Sequence, residues 1–152
     1  MAAGPSLESQ HAYMGNPQKL RVYLVEDSSI LLRLLQEMLA AIPGTFVVGH
    51  SDSAEEAIAE IVETKPDAII VDLLLQHGTG YDVLEGVAMQ SAKLPLSIVL
   101  TNFSMAPHPG RAARLGAAYF FDKSSEIARM FRVITQLVDD HVRYAKPNCN
   151  HA

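Results

Sequence analysis

The sequence predicts an α/β fold built on a doubly wound, five-stranded parallel sheet. Short apolar runs alternate with segments whose apolar residues recur every three or four positions, which is the pattern of strands alternating with helices. The run Ala68–Val71 is apolar at every position, as expected of a central strand that is covered by helices on both faces. Right-handed crossovers between successive strands then give a parallel sheet.

Length and composition are those of one globular domain with a sizeable core. The chain has 152 residues, of which 49% are hydrophobic and 19% charged. Its net charge of -5 gives no support to nucleic-acid binding, which usually shows a basic patch, so we expect no direct contact with nucleic acid. The single cysteine, Cys149, excludes an intrachain disulfide. The sequence has no apolar run long enough to span a membrane, and its first residues do not resemble a signal peptide. We therefore expect a cytoplasmic protein with no membrane partner.

The order of apolar runs defines the expected elements. The predicted strands cover residues 20–25, 46–49, 68–71, 96–100 and 117–121. The predicted helices cover residues 30–41, 53–63, 80–89, 111–115 and 127–142. Residues 1–18, which contain glycines and prolines without an apolar period, are predicted to be a flexible arm, and residues 144–152 a tail.

Polar residues at the starts of the helices predict their N-caps. Asp27, Ser28 or Ser29 can cap the first helix, and Ser53 with Glu56 has the capping-box spacing for the second. Ser124 or Ser125 is expected to cap the last helix.

The first helix carries apolar residues on more than one stripe. Two interpretations are equally compatible with this pattern: a helix that leaves a contact surface exposed, or a helix that is simply well buried.

Two prolines and a glycine lie where the fourth helix would be expected to start. Pro107, Pro109 and Gly110 disfavour a regular helix, because proline is tolerated in a first turn but not in a helix interior. We therefore expect no regular helix before Pro109 and expect residues 103–110 to be the least regular part of the fold.

Four predicted strands end at residues that carry chemistry. These residues are Glu26 and Asp27, Asp72, Thr101 and Lys123. Because ligands in open α/β sheets bind at the carboxyl ends of strands, we expect these side chains to converge. Clustered carboxylates need a cation between them, and oxygen ligands suit a hard ion such as Mg²⁺. A lysine and a hydroxyl on the far side complete a cradle for a phosphoryl group.

This ordered set resembles the receiver domains of two-component response regulators. The resemblance covers residues 19–143 and includes two further features, Gly80 eight residues after Asp72 and the pair Gly116-Ala117 before the fifth strand. It implies a flavodoxin-like (βα)5 fold with strand order 2-1-3-4-5. Each residue alone has an ordinary explanation, as a helix cap, turn former, solvated charge or core side chain. The set together favours the family.

The resemblance assigns a role to each position. Asp72 would be the phosphoacceptor, and Glu26, Asp27 and Asp72 would hold Mg²⁺ together with the backbone carbonyl of Leu74. Lys123 would pair with the phosphoryl oxygens, and Thr101 would bind them in the activated state. Phe120 would be the switch aromatic.

The function implied is a signalling switch rather than an enzyme with a separate substrate. A histidine kinase or histidine phosphotransfer protein would supply the phosphoryl group, and a downstream protein, or a further step of a phosphorelay, would receive the signal. Nothing after residue 143 predicts a DNA-binding or enzymatic domain, which favours a stand-alone receiver resembling the chemotaxis regulators. The alternatives are an adaptor that acts without phosphorylation and the receiver fragment of a DNA-binding regulator.

Several residues depart from the family pattern. Ser124 follows Lys123 where proline is common, so we expect a trans peptide bond there. Asn102 is larger than the usual residue after Thr101 and is expected to narrow access. Leu74 has no polar group with which to orient a water molecule.

Overall fold

The computed structural model describes residues 19–105 and 109–145. Its strands are β1 Leu20–Val25, β2 Thr45–Ser51, β3 Ala68–Val71, β4 Leu96–Thr101 and β5 Tyr119–Asp122. Its helices are α1 Ser29–Ala40, α2 Ala54–Thr64, α3 Gly80–Gln90, α4 Pro109–Arg114 and α5 Ile127–Ala145. The predicted arm at residues 1–18, the last seven residues of the predicted tail, and Pro107 lie outside the described residues.

The five strands form one parallel sheet in the order β2-β1-β3-β4-β5, which confirms the predicted fold class. From β1 the chain crosses outward to β2 and then returns to the other side of β1 to form β3. This reversal makes the carboxyl ends of β1 and β3 the switch point at which α/β sheets bind ligands.

Helices cover both faces of the sheet. Alternate residues of the strands pack either against α2, α3 and α4 or against α1 and α5. Within β3, Ile69 and Val71 face the first layer and Ile70 faces the second, and all three are buried. The apolar run therefore has the position that was predicted for it, in the centre of a sheet with two cores.

Helix α1 leaves part of its apolar surface in solvent. Leu35 and Leu39 are buried against the sheet, whereas Ile30 is 83% exposed and Leu34, one turn later, is 42% exposed. Of the two interpretations of this helix, the structure supports an exposed apolar surface. Among the described residues, no helix is both long and apolar enough to cross a membrane.

Helix α4 covers Pro109–Arg114, close to the predicted residues 111–115. Residues 103–105 form a turn rather than a helix. Ala112 is buried in the core, while the Arg111 guanidinium lies 4.8 Å from the centre of the Tyr81 ring. The buried Ala112 side chain, the cation–π contact of Arg111 and an ion pair between Arg111 and Glu85 at 3.9 Å therefore connect this short helix to the body of the protein.

Several element boundaries differ from the sequence prediction by a few residues, and one predicted cap is wrong. β5 begins at Tyr119 rather than at residue 117, because Gly116 has φ +93° and the chain is still turning there. α5 begins at Ile127, as predicted, but the residue just before it is Glu126, so the predicted cap by Ser124 or Ser125 is wrong. The Ser124 hydroxyl instead donates to the carboxylate of Asp122.

The predicted caps of α1 and α2 are present. The hydroxyl of Ser28 accepts from the Leu31 amide, and that of Ser53 accepts from the Glu56 amide. In a full capping box the Glu56 side chain would also accept from the Ser53 amide. Here that amide donates to Ser51 Oγ instead.

Candidate functional site

Three carboxylates meet at the carboxyl ends of β1 and β3. Glu26 and Asp27 follow β1, Asp72 follows β3, and one oxygen from each lies within 4.8 Å of the others. The Asp72 amide donates to the Val25 carbonyl at 3.0 Å, so the ladder between the two strands places the acids side by side. This arrangement brings together the acids that were predicted to converge.

Asp72 is the centre of the site. It is 4% exposed, and both of its carboxylate oxygens have partners. Oδ1 accepts from Thr101 Oγ1 at 2.8 Å and from the Leu74 amide at 3.1 Å. Oδ2 pairs with Lys123 Nζ at 2.5 Å. The side chains at the ends of β4 and β5 therefore reach the same carboxylate from opposite sides.

Glu26 is the most deeply buried acid of the three, at 3% exposure. Its carboxylate accepts from Lys123 Nζ at 2.9 Å and from the Ser28 amide at 3.0 Å. Burial raises the pKa of Glu26, and the hydrogen bonds from Lys123 and Ser28 oppose that rise without cancelling it.

Lys123 is shared between Glu26 and Asp72. Burial alone would lower the pKa of its ammonium group, but the hydrogen bonds and charges of the two acids outweigh burial and raise the pKa. The ammonium is therefore a fixed positive charge at neutral pH, on the side of Asp72 opposite Thr101.

Asp27 is only partly buried and opens the site to solvent. It borders a cavity of about 260 Å³ together with Glu26, Ser29 and His50. Ligands can therefore approach the acids between the start of α1 and the end of β2.

The loop after Asp72 requires a glycine at position 80. A Cβ on Gly80 would lie 2.2 Å from the carbonyl oxygen of Asp72 and 2.8 Å from Leu73 Cα, and both are backbone atoms that cannot rotate away. The Gly80 amide also donates to the Leu73 carbonyl at 3.1 Å. The glycine eight residues after the aspartate thus allows α3 to begin against the strand end that carries Asp72.

The family model described as the response regulator receiver domain matches residues 22–135. The chain belongs to this family. It is 30% identical over 128 residues to response regulator GacA of Pseudomonas viridiflava, which covers 84% of this chain and 59% of that relative. Thus the chain spans about three fifths of the length of GacA. It is also 30% identical over 109 residues to a protein-glutamate methylesterase/protein-glutamine glutaminase of Geobacter sulfurreducens, covering 72% of this chain and 29% of that protein.

Solved receiver structures share the fold. The response regulator domain of Thermotoga maritima CheB superposes with a TM-score of 0.65 at 25% identity, over 85% of this chain and 99% of that one. The phosphorylated cyanobacterial phytochrome response regulator RcpA gives a TM-score of 0.67 at 23% identity, over 84% and 97% of the two chains. The protein is thus a receiver domain of the two-component signalling type.

Five of the seven predicted site residues meet in this receiver domain through their side chains: Glu26, Asp27, Asp72, Thr101 and Lys123. Leu74 reaches Asp72 through its amide, and its predicted role as a carbonyl ligand stays a prediction. Phe120 pairs with Val99 in the sheet and packs, half-buried, against the core on the α2 side. Its predicted switch role also stays a prediction.

Asp122 is a contributor that the sequence analysis missed. Its carboxylate accepts from the amide and from the hydroxyl of Ser124, at 3.0 and 2.9 Å. The signal in the sequence is an aspartate two residues before a serine, the pattern of a side chain that closes a turn on its own backbone. This turn carries Lys123 into the site.

Proposed function

We propose that the protein is a phosphorylation-dependent switch in which Asp72 accepts a phosphoryl group from a phosphohistidine. The donor would be a histidine kinase or a histidine phosphotransfer protein. The observation that supports this most directly is the position of Asp72, which lies buried at the end of the central strand between an ammonium group and a hydroxyl group. Membership of the receiver family agrees with this proposal.

The transfer needs one nucleophile and one leaving group. An oxygen of the Asp72 carboxylate attacks phosphorus in line, and the bond from phosphorus to the donor imidazole nitrogen breaks. The bonding electrons stay on that nitrogen, and because the other ring nitrogen of the phosphohistidine carries a proton, the donor leaves as neutral imidazole. Lys123 would neutralise charge on the phosphoryl oxygens, a role supported by the 2.5 Å distance between its Nζ and an Asp72 oxygen.

The acids of the site fit a magnesium ion. Three carboxylates whose oxygens lie within 4.8 Å of one another supply the hard oxygen ligands that Mg²⁺ prefers. Glu26, Asp27 and Asp72 would hold the ion, with the Leu74 carbonyl as a further ligand. When bound, Mg²⁺ would neutralise charge on the phosphoryl oxygens and draw the acids together. Since Glu26 also binds Lys123, its carboxylate would be shared between the ion and the ammonium.

Phosphorylation would necessarily rearrange the site. Both oxygens of Asp72 are engaged, so converting one into an ester oxygen weakens its bond to Thr101 or to Lys123. The displaced donor then turns to the new phosphoryl oxygens. If Thr101 moves inward, space opens on the β4–β5 side, into which Phe120 of the adjacent strand can rotate. Such a change would present a different surface to a downstream protein.

The exposed apolar residues of α1 suit the donor protein. Ile30 and Leu34 lie on the helix that begins directly after Asp27, so a protein docked there reaches the acids. A partner at this surface could present its histidine to Asp72 through the cavity beside Asp27. The chain's relatives are longer proteins, so the output could be carried by a further segment or by a separate protein target.

Mass addition tests the proposal. Wild-type protein and Asp72→Asn are incubated with phosphoramidate and Mg²⁺ and weighed intact, with Asp139→Asn as an exposed acid control on α5. We expect one phosphoryl group on the wild type and on the control, and none on Asp72→Asn. Equal modification of all three would assign the phosphoryl group to another residue. No modification of any would favour a receiver-fold adaptor that acts without phosphorylation.

A further inference from the structure

Lys123 reaches its partners from two strands away. Its amide donates to the Thr101 carbonyl at 3.0 Å, one residue past the last pair of the β4–β5 ladder. Its ammonium must then cross the end of β4 to contact Asp72, which follows β3. Neighbouring strands lie about 4.8 Å apart, so β5 and β3 are about 10 Å apart. A lysine side chain has little slack over that distance, so a displacement of the Lys123 backbone also displaces its ammonium.

The turn after Lys123 is closed by both backbone and side-chain atoms of Asp122. One carboxylate oxygen of Asp122, Oδ1, accepts from the amide and the hydroxyl of Ser124, at 3.0 and 2.9 Å. The Asp122 carbonyl accepts from the amides of Ser125 and Glu126, at 3.3 and 2.8 Å. The Asp122 amide donates to the Glu126 carboxylate at 3.2 Å. The chain therefore folds back onto Asp122, and Lys123 is the residue held inside the turn.

The backbone after Lys123 is restricted by hydrogen bonds rather than by a proline ring. The residue that follows is Ser124, and the Lys123–Ser124 peptide bond is trans, as predicted. An aspartate that accepts from the amide two residues later limits the conformations open to such a segment. The Ser124 amide and hydroxyl hold the pKa of Asp122 below its usual range. The carboxylate is therefore charged at neutral pH, which strengthens both hydrogen bonds.

We propose that Asp122 is a positioning residue for phosphoryl transfer to Asp72, and that it acts by keeping Lys123 in place. It does so through its hydrogen bonds to Ser124. Lys123 Nζ lies 2.5 Å from Asp72 and 2.9 Å from Glu26. A charge that stabilises the phosphoryl oxygens must be held there beforehand, and a misplacement of about 1 Å can cost about a hundredfold in rate. The inference rests on the proposed phosphorylation of Asp72 and adds a residue on which the rate of that reaction depends.

The rate at which phosphoramidate modifies the full 152-residue chain in saturating Mg²⁺ tests this dependence. Rates are compared at a temperature at which every variant is folded. We expect Asp122→Ala to react about tenfold more slowly than the wild type, because the turn is loosened and the ammonium is displaced. Asp122→Asn keeps an acceptor oxygen for Ser124 and should stay within about threefold of the wild-type rate. Asp139→Ala, an exposed acid on α5, should react at the wild-type rate.

Urea unfolding without metal tests whether Asp122 acts through Lys123. If the turn holds the ammonium on the two acids, part of the stability lost in Asp122→Ala is the loss of that contact. In a Lys123→Met background, where the contact is already absent, the same substitution should lower the free energy of unfolding by at most about half as much. A turn that only closes the chain locally would have equal effects in both backgrounds. Should Asp122→Ala fail to fold, Ser124→Ala removes one of the two side-chain hydrogen bonds and is compared in the same way, in rate and in urea.

The outcomes distinguish this inference from the proposed function. A wild type that phosphoramidate does not modify overturns the proposed function and this inference with it. A modified wild type whose rate is matched by Asp122→Ala, or by Ser124→Ala where Asp122→Ala does not fold, overturns only the positioning role. Equal effects of the substitution in the two urea backgrounds do the same. Equal slowing in Asp122→Asn and Asp122→Ala would also overturn the role as stated, because charge and not the hydrogen-bonded turn would then carry the effect.

Discussion

Lys123 neutralises two buried acids at once, so removing its charge should lower the free energy of unfolding. In Lys123→Met, Glu26 and Asp72 lose the ammonium that lies 2.9 and 2.5 Å from their oxygens. Breaking a fully buried pair costs several kcal/mol. Because the lysine side chain keeps 21% exposure and solvent screens it, we expect about 2 kcal/mol near neutral pH.

The cost of Lys123→Met should depend on pH in a defined direction. The raised pKa of Lys123 means that its contribution in the wild type is complete below the pKa of free lysine and is lost only as pH rises through the raised value. In the variant, Glu26, whose pKa is already raised by burial, takes up a proton as pH falls. The difference in the free energy of unfolding between wild type and Lys123→Met should therefore shrink as pH falls from about 8 to about 5.

Urea unfolding of wild type and variant across this range, without added metal, measures the difference. Lys93→Met, on an exposed loop, is the matched control and should cost little at any pH. A deficit in Lys123→Met that grows as pH falls would contradict the argument.

The apolar side chain of Leu74 leads us to expect that a phosphoryl group on Asp72 is lost slowly. The Leu74 amide donates to Asp72 Oδ1 at 3.1 Å, and the Leu74 side chain, two residues after the proposed phosphoacceptor, has no polar atom to orient an attacking water. Positioning of water contributes to hydrolysis, so Leu74→Asn should shorten the lifetime of the aspartyl phosphate, by about tenfold. Decay after removal of phosphoramidate, followed by intact mass, measures it, with Leu94→Asn on a distant loop as control. An unchanged or slower decay in Leu74→Asn would count against the role of this position.

At the scale of elements, the turn from β3 into α3 depends on Gly80. An alanine there would bring its Cβ within 2.2 Å of the Asp72 carbonyl oxygen, so strand end and helix start must separate. We expect Gly80→Ala to cost at least about 2 kcal/mol and to slow phosphorylation, because Asp72 moves with the strand end.

Gly110 supplies the matched control for that substitution. It lies in α4 with a negative φ, and nothing lies within 4 Å of where its Cβ would be. Gly110→Ala should therefore stabilise the protein by up to about 1 kcal/mol through the lower entropy of the unfolded chain. Urea unfolding of both variants measures the two changes in the free energy of unfolding. Equal effects at the two glycines would show that the short contact at Gly80 relaxes freely.

Strand order and helix positions could be predicted because the apolar periodicity of each segment agrees with the sheet it joins. β2 is longer than predicted because its polar ends, Thr45 and His50–Ser51, are held by pairing with β1, which no local pattern reveals. The predicted cap of α5 failed for a similar reason. Ser124 has a typical capping side chain, but Asp122 binds it first.

The candidate site, too, has features that the sequence predicts and features that it does not. The five side chains at the strand ends could be predicted, because parallel strands bring their carboxyl ends to one edge. The hydrogen bonds from the Ser124 amide and hydroxyl to Asp122 could not, since they depend on where β5 ends and how the chain turns after it. Likewise, the sequence shows apolar residues on more than one stripe of α1, while only the structure shows that Leu35 and Leu39 are buried and that Ile30 stays exposed.

At the scale of the whole molecule, Mg²⁺ should stabilise the fold by binding the acids that otherwise repel one another. A ligand at ten times its dissociation constant adds about 1.4 kcal/mol to the free energy of unfolding, or about 3 °C in Tm for a domain of this size. Asp27 is the predicted ligand with the fewest protein partners and lies beside the open cavity. Asp27→Ala should therefore lose most of this response without leaving a buried charge unpaired.

The net charge of -5 makes a control necessary, since any cation screens repulsion across the whole surface. Thermal unfolding should be followed with MgCl₂ and with NaCl at equal ionic strength, for wild type, Asp27→Ala and Asp139→Ala. General screening raises Tm in both salts and in all three proteins, whereas a bound ion adds a further rise in MgCl₂ that is lost in Asp27→Ala. If Asp27→Ala kept the full difference between the two salts, the ion would be held elsewhere, because loop carbonyls cannot replace a charged oxygen ligand.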